Sequence, residues 1–426
     1  MSYTRRDFLG AALGLSALPI SNLKWSAGAV ARTPDPRSAS RPSERDTVLV
    51  VIQLTGGNDG LNTVVPYADD AYARNRTTLR LPTGELHKID SLLAFHPRME
   101  AFQRLYKEDC LSIVQGVGHP NPDQSHERAM RIWHTGDLIS ASPAGPQRPA
   151  RQTGWLGRVV DRAWSPTKAD VTAVFVGPIS RPFALNAENV FVPCIRSASG
   201  NSGSQISDFG LSPRVESATR SSPSAGDPLL QFVRQRTLDA SAKCARIEAV
   251  IKAGSGSTDY PSFGLAGDLR TIAQLIRADI GIRIFFAELG GGGIGGFDNH
   301  ANQLGNQCAL LHQLSESVAA FMYDLKRDNL LDRVLLMTFS EFGRSVKENG
   351  RRGTDHGAAA PMFLAGGRVR SGLIGPHPSL TDLDKGALKF GLDFRQVYAT
   401  VLDQWLGFDS QVALGRRFEP LDVLKT

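Results

Sequence analysis

Residues 46–54 read DTVLVVIQL, a nearly continuous apolar run. A strand with one wet face alternates polar and apolar side chains, so an unbroken run belongs in a sheet covered on both faces. That requirement narrows the fold more than any other feature of the chain. The pattern then repeats: further apolar strands are predicted at 111–115, 171–176, 283–288, 333–339 and 361–365. Helical periodicity falls between and after them, at 96–106, 125–134, 228–252, 263–278, 303–327 and 394–406. Strands alternating with helices predict an α/β domain, a mostly parallel sheet sandwiched between helical layers. In such sheets ligands collect beyond the carboxyl ends of the strands.

Polar, chemically capable residues cluster at that edge. After the first strand comes Gly56-Gly57-Asn58-Asp59-Gly60, and after the second come His119 and the run from Asn121 to His126. Asp298-Asn299-His300 follows the 283–288 strand, and Ser340-Glu341-Phe342-Gly343-Arg344 follows the 333–339 strand. Thr354-Asp355-His356-Gly357 precedes the last short strand. Carboxylates and imidazoles on separate loops can surround a divalent ion. A hydroxyl at a helix start beside such an ion can act as nucleophile. Each residue also has a plain structural reading. Asp59 suits a turn between glycines, and Ser125 suits the N-cap of the next helix. Asp298 and Asn299 suit a cap for the 303–327 helix, and Glu341 suits an ion pair with Arg344. A single His300 or His356 suits a hydrogen-bonded core.

The N-terminus carries a separate signal. Thr4-Arg5-Arg6-Asp7-Phe8-Leu9 is a paired-arginine motif before a short apolar run, and Ala29-Val30-Ala31 fits a signal-peptidase site. The run ends by Leu18, short of the roughly 20 apolar residues a membrane span needs. Residues 1–31 therefore read as a twin-arginine signal peptide and 32–45 as a linker. Residues 46–426 read as one domain with a Ser-rich surface loop at 197–227. The export machinery becomes an expected partner, with a periplasmic or extracellular destination. No later stretch predicts a transmembrane segment. The signal carries Arg5, Arg6 and Lys24 against Asp7, so about +4 of the formal +6 stays with the mature chain. Its arginines are scattered without interleaved aromatics, which gives no support to nucleic-acid binding, whereas an anionic small-molecule or polymer ester is compatible. Cys110, Cys194, Cys244 and Cys308 show no C-x-x-C spacing. Cys110 and Cys308 lie in apolar periodic segments, and the spacing leaves disulfide pairing open.

Other motifs are missing. There is no G-x-S-x-G elbow, no Walker A loop and no H-E-x-x-H. Gly290, Gly292 and Gly295 satisfy G-x-G-x-x-G but run into Phe297-Asp298-Asn299-His300, which is not the helix start a dinucleotide needs.

The segments LTGGNDGLNTVVPYAD (54–69), PNPDQSHERAMRIWHTG (120–136), GGFDNHANQ (295–303), FSEFGRSVKENGRRGTDHGAAAPMFLAGG (339–367) and DFRQVYATVLDQWLG (393–407) together resemble the bacterial family known as domain of unknown function 1501. The resemblance spans most of the mature chain. It implies twin-arginine export and kinship with the alkaline phosphatase and sulfatase-like superfamily, hence an alkaline-phosphatase-like fold and a metal-centred hydrolase. Carried over residue by residue, it implies metal binding by Asp59, Asp298, His300, Glu341 and His356, and attack by Ser125. His126 would stand beside that nucleophile. Arg128, with Arg131 on the same helix, would clamp an anionic ester. Where the superfamily has Asp-His after a strand, this chain has Glu341-Phe342, one nitrogen ligand fewer.

These residues support a hydrolase of phosphate or sulfate esters using a divalent ion such as Zn, Ca, Mg or Mn. Two other readings stand beside it. One is a non-catalytic binding or assembly protein on the same fold. The other is a metal-free serine hydrolase using Ser125 with His126 or His300.

Overall fold

The computed structural model describes residues 47–138, 152–163, 172–178, 181–196, 228–254, 259–291 and 296–425. The signal peptide, the linker, the 197–227 loop, and Gly292 and Gly295 lie outside the described residues.

Among the described residues nine strands form the central sheet: β1 (Val48–Leu54), β2 (Leu111–Gly118), β3 (Ala173–Val176), β4 (Cys194–Ile195), β5 (Ile284–Leu289), β6 (Val334–Phe339), β7 (Ala360–Ala365), β8 (Gly372–Ile374) and β9 (Leu392–Asp393). Their order is β8-β2-β7-β6-β1-β5-β3-β4, and β9 also pairs with β2. All neighbouring pairs are parallel except those made by β7, which runs antiparallel to β2 and β6. The fold class is therefore α/β with a mostly parallel sheet.

β1 shows why its sequence carries no alternation. Val48, Val50, Ile52 and Leu54 pack into one core, with the helices α1 (Glu100–Lys107), α5 (Gly264–Ala278) and α6 (Gln303–Arg327), and with Ile247 of α4 (Pro228–Ala253). Leu49 and Val51 pack into the other, with α2 (His126–Thr135), α3 (Trp155–Ala163) and α7 (Phe394–Ala399). Each such side chain contributes at most about 1.5–3 kcal/mol by leaving water, and no position of β1 has a solvent face on which a polar residue would be neutral.

Two helix boundaries differ from expectation. The helix expected from residue 96 begins at Glu100, because Pro97 disfavours helical geometry at His96, whose amide bonds to Thr63 O instead at 3.1 Å. The closing helix 394–406 is helical only to Ala399 and widens into a π-turn at Thr400–Trp405. There the Thr400 hydroxyl donates to Gln396 O at 2.7 Å and accepts from Leu421 N at 2.8 Å, competing with the backbone ladder.

Because β1, β2, β5 and β6 run one way and β7 the other, one sheet edge collects the carboxyl ends of those four and the amino end of β7. The five chemically loaded loops emerge from this edge. Among the described residues no helix is long and apolar enough to cross a membrane.

Candidate metal centre

The loop after β1 comes close to the loop after β5. A Cβ at Gly56 (φ +112°) would lie 2.5 Å from Asp298 N, and one at Gly57 (φ +76°) would lie 2.4 Å from the Phe342 ring. Only glycine permits both the backbone conformation and the contact. The loop after β6 pairs with the loop before β7: Gly343 N bonds to Ala358 O at 2.8 Å, Gly357 N to Gly343 O at 2.8 Å and Ser345 N to Asp355 O at 2.9 Å. This short ladder fixes His356 opposite Arg344.

Three imidazoles meet Asp298. Its Oδ1 lies 3.1 Å from His300 Nε2 and 3.2 Å from His356 Nε2, while its Oδ2 lies 3.4 Å from His126 Nε2. Donor atoms of His126, Asp298 and His356 all fall within 4.8 Å of one another. Each ring has an acceptor at its other nitrogen. His126 Nδ1 is 2.8 Å from Glu341 Oε1, His356 Nδ1 is 2.6 Å from Gln124 O, and His300 Nδ1 is 3.3 Å from Asp355 Oδ1. A carbonyl or carboxylate oxygen can only accept, so a neutral ring that keeps its Nδ1 contact carries the proton there and presents its Nε2 lone pair to the cluster, where a cation rather than Asp298 alone would satisfy it. His300 Nε2 and His356 Nε2 are 2.9 Å apart. Two lone pairs at that separation repel unless a proton or cation lies between them. His126 Nε2 is buried without a hydrogen-bond partner. Ligand atoms around a tetrahedral zinc with bonds of ~2.0–2.1 Å are ~3.3 Å apart, the scale of these separations. The donor set fits a divalent ion.

Around the cluster, Arg344 is fully enclosed. It donates to Asp298 Oδ1 at 2.6 Å, to Gly57 O at 2.7 Å, to Phe297 O and Thr354 O at 3.1 Å each, and to Gly56 O. Burial opposes the charge on Asp298, but Arg344, His126 and His300 outweigh it and hold its carboxyl below the usual range. The Glu341 hydrogen bond raises the pKa of His126 against the opposing effect of burial. The Phe342 ring closes one side, 4.9 Å from the His126 ring and 4.6 Å from His356.

The structure thus brings together Asp298, His300, His356 and His126. Four other expected residues stand differently. Asp59 is buried and already engaged: Arg76 grips both its oxygens and Gln303 Nε2 donates to Oδ2 at 2.5 Å, which takes up acceptor positions a metal would need. Glu341 meets the cluster through His126. Its Oε1 accepts from His126 and from Gly56 N at 2.9 Å, and its Oε2 accepts from Ser340 Oγ at 3.2 Å, so it orients an imidazole. It does not pair with Arg344 as the local sequence suggested. Arg128 lies on the exposed face of α2, its Nε 3.1 Å from Asp123 Oδ2. Ser125 occupies the N-cap position of α2 but its hydroxyl makes no capping bond; Asp123 Oδ1 accepts the Ser125 amide at 2.8 Å instead. Sequence reading missed Arg344 as the Asp298 partner and Arg76 as the Asp59 partner, and no local motif marks either arginine.

Residues 234–416 match the family described as Protein of unknown function (DUF1501). It is the family that the sequence motifs resemble, and the matched stretch holds Asp298, His300, Glu341, Arg344 and His356. No curated protein matches the chain. Solved structures similar to it include Ps i-CgsB in complex with k-i-k-neocarrahexaose, at 9% identity over 88% of this chain and 73% of that one, TM-score 0.39. A protein in the alkaline phosphatase superfamily from Vibrio parahaemolyticus has 10% identity over 87% and 70%, TM-score 0.38. The PsFucS1 sulfatase from Pseudoalteromonas sp. has 11% identity over 88% and 70%, TM-score 0.37.

Proposed function

We propose that this chain is a metal-dependent hydrolase of phosphate or sulfate esters, exported by the twin-arginine machinery to the periplasm or beyond. Residues 1–31 would be its signal and 46–426 a single alkaline-phosphatase-like domain. One observation carries the reading: three imidazoles, each held at Nδ1 by an oxygen acceptor, turn their Nε2 atoms toward one carboxylate. His126, His300, His356 and Asp298 would hold the ion. An imidazole-rich set favours zinc or a similar borderline metal over calcium or magnesium, which prefer oxygen. Bound there, such an ion supplies Lewis acidity toward an ester oxygen.

The chain's own groups do the rest. Glu341, Gln124 and Asp355 fix the ring orientations, Arg344 keeps Asp298 ionised, and Phe342 shields one flank from water. Ser125, at the start of α2 and next to His126, is the proposed nucleophile, with the helix N-terminus favouring the anionic group it attacks. The Arg128 guanidinium is already paired with Asp123. Its clamp role would require exchanging that partner for the ester.

The test is metal content of the purified protein beside His356→Ala, followed by a screen of phosphate and sulfate esters with Ser125→Ala as control. Stoichiometric metal lost in His356→Ala, with ester turnover lost in Ser125→Ala, is the expected result. Metal without turnover would favour the non-catalytic binding protein, a reading supported by Phe342 standing where another ligand is expected. Turnover that survives complete metal removal would favour the serine hydrolase.

A further inference from the structure

The turn beside His300 carries cations without a side-chain partner among the described residues. Residues 344–356 read RSVKENGRRGTDH. Within this stretch Arg344 is buried and committed to Asp298, whereas Lys347, Arg351 and Arg352 are exposed. The two acids that would neutralise them are engaged elsewhere. Glu348 accepts from the Thr77 hydroxyl at 2.5 Å and from the amides of Thr78 and Leu79 at 2.8–3.0 Å. Asp355 Oδ1 accepts from Asn349 Nδ2 at 3.1 Å and faces His300 Nδ1. Among the described residues Lys347, Arg351 and Arg352 form no side-chain ion pair or hydrogen bond, although Arg351 is near enough to act electrostatically on Asp355.

The turn is rigidly attached to the metal loop. Asn349 Oδ1 accepts from Arg351 N at 2.9 Å and Gly353 N at 3.2 Å, while its Nδ2 donates to His300 O at 3.1 Å. Asn302 N and Gln303 N bond to Arg351 O and Arg352 O at 3.1 and 2.9 Å. A Cβ at Gly353 would lie 2.3 Å from His300 C, so the turn and the ligand segment pack backbone to backbone. Arg352 sits at φ +58°, a conformation for which glycine is the default, yet the position carries a guanidinium.

We propose that this turn is a docking rim for a polyanion, a chain bearing several sulfate or phosphate groups, and that it holds the anionic groups neighbouring the one at the metal centre. The proposal rests on the hydrolase reading for its purpose, but the cations and their attachment stand without it. Exposed arginines hold oxyanions through paired N–H donors, and unpaired cations of one sign attract a polyanion in a salt-dependent manner.

The experiment compares three forms of the full chain: wild type, Arg351→Ala with Arg352→Ala, and a control, Arg104→Ala with Lys252→Ala, which removes the same charge from surface sites on α1 and α4. Binding of dextran sulfate, with uncharged dextran as reference, is measured by calorimetry at two salt concentrations, and metal content is measured on the same samples. The expected result is a loss of about tenfold or more in dextran sulfate affinity, with a shallower salt dependence, for the Arg351/Arg352 variant alone. Equal losses in both variants, or none in either, overturn the rim. So does tight binding to phosphatidylglycerol vesicles that the Arg351/Arg352 change removes while dextran sulfate is ignored, since that assigns the turn to a membrane surface. Normal metal with unchanged polymer affinity sinks this proposal only. Absent metal with rim-dependent polymer affinity sinks the metal reading only.

Discussion

Two carboxylates leave the same sheet edge and meet opposite surroundings. The Asp59 side chain is 4% exposed and is gripped by the fully enclosed Arg76, with Gln303 supplying a further donor. The Asp298 side chain is 41% exposed; one oxygen takes Arg344 and both look toward imidazole nitrogens. In the first, the acceptor positions of the carboxylate are taken by Arg76 and Gln303. In the second, solvent access is combined with a carboxylate whose remaining neighbours are imidazoles. A buried acid becomes structural when a permanent cation fills its acceptor positions, and it becomes a candidate ligand site when they are left to groups that can give up a proton. Glu288 illustrates a third case. It is buried, and among the described residues only the Thr55 hydroxyl bonds its Oε1 and none bonds its Oε2; burial lifts its pKa to about 7 despite that bond.

The largest test of this contrast is Arg76→Ala. It strands Asp59 in the interior and should cost about 3–5 kcal/mol in urea unfolding. Asp59→Asn should keep metal content. A protein that loses metal with Asp59→Asn while its unfolding midpoint holds would return Asp59 to the ligand set and erase the distinction.

Glu288→Gln sharpens the third case. The folded pKa lies above the ordinary 4.5, so the contribution of Glu288 is fully present below that pH and is lost as pH rises through about 7. The variant should lack this decline, shifting the pH dependence of stability by on the order of 3 kcal/mol between pH 4.5 and 8. Parallel curves for the two proteins would show that Glu288 is solvated.

Metal supply should separate the first two sites. Zinc at about 100 times its dissociation constant should stabilise the wild type by about 2.7 kcal/mol, and His356→Ala should not respond. The gain should shrink as pH falls, because the imidazoles must lose their protons to bind. A response that His356→Ala retains in full would move the ion elsewhere. The smallest expected effect is that of Glu341→Gln, which keeps an acceptor for His126 but removes the charge. Metal affinity should fall about 10–100-fold, read by competition with a chelator, while unfolding without metal changes little.

The order of strands and helices was legible because β1, β5 and β6 are each apolar at all but one position and the long helices keep their period. The loops at the sheet edge followed from that order. The helix start at Glu100 and the π-turn at Thr400 were less legible, since each depends on a bond to a distant segment, Thr63 O for His96 and Leu421 N for Thr400. Within the site, Asp298, His300 and His356 drew notice as polar residues in glycine-rich loops. His126 was read as a companion of Ser125, because nothing in the local sequence shows that Glu341 holds its ring from 215 residues away.

By itself, the sequence determined the fold class and the edge at which chemistry gathers, because hydrophobic periodicity is a local property read one segment at a time. Which acid would meet a cation was decided only by the tertiary structure. Asp59 and Asp298 sit in similar loops, and their fates depend on Arg76, 17 positions from Asp59, and Arg344, 46 positions from Asp298. Hydrogen bonds act over about 3 Å in space whatever the separation along the chain. Only the folded backbone brings those guanidinium groups to one carboxylate completely and to the other in part.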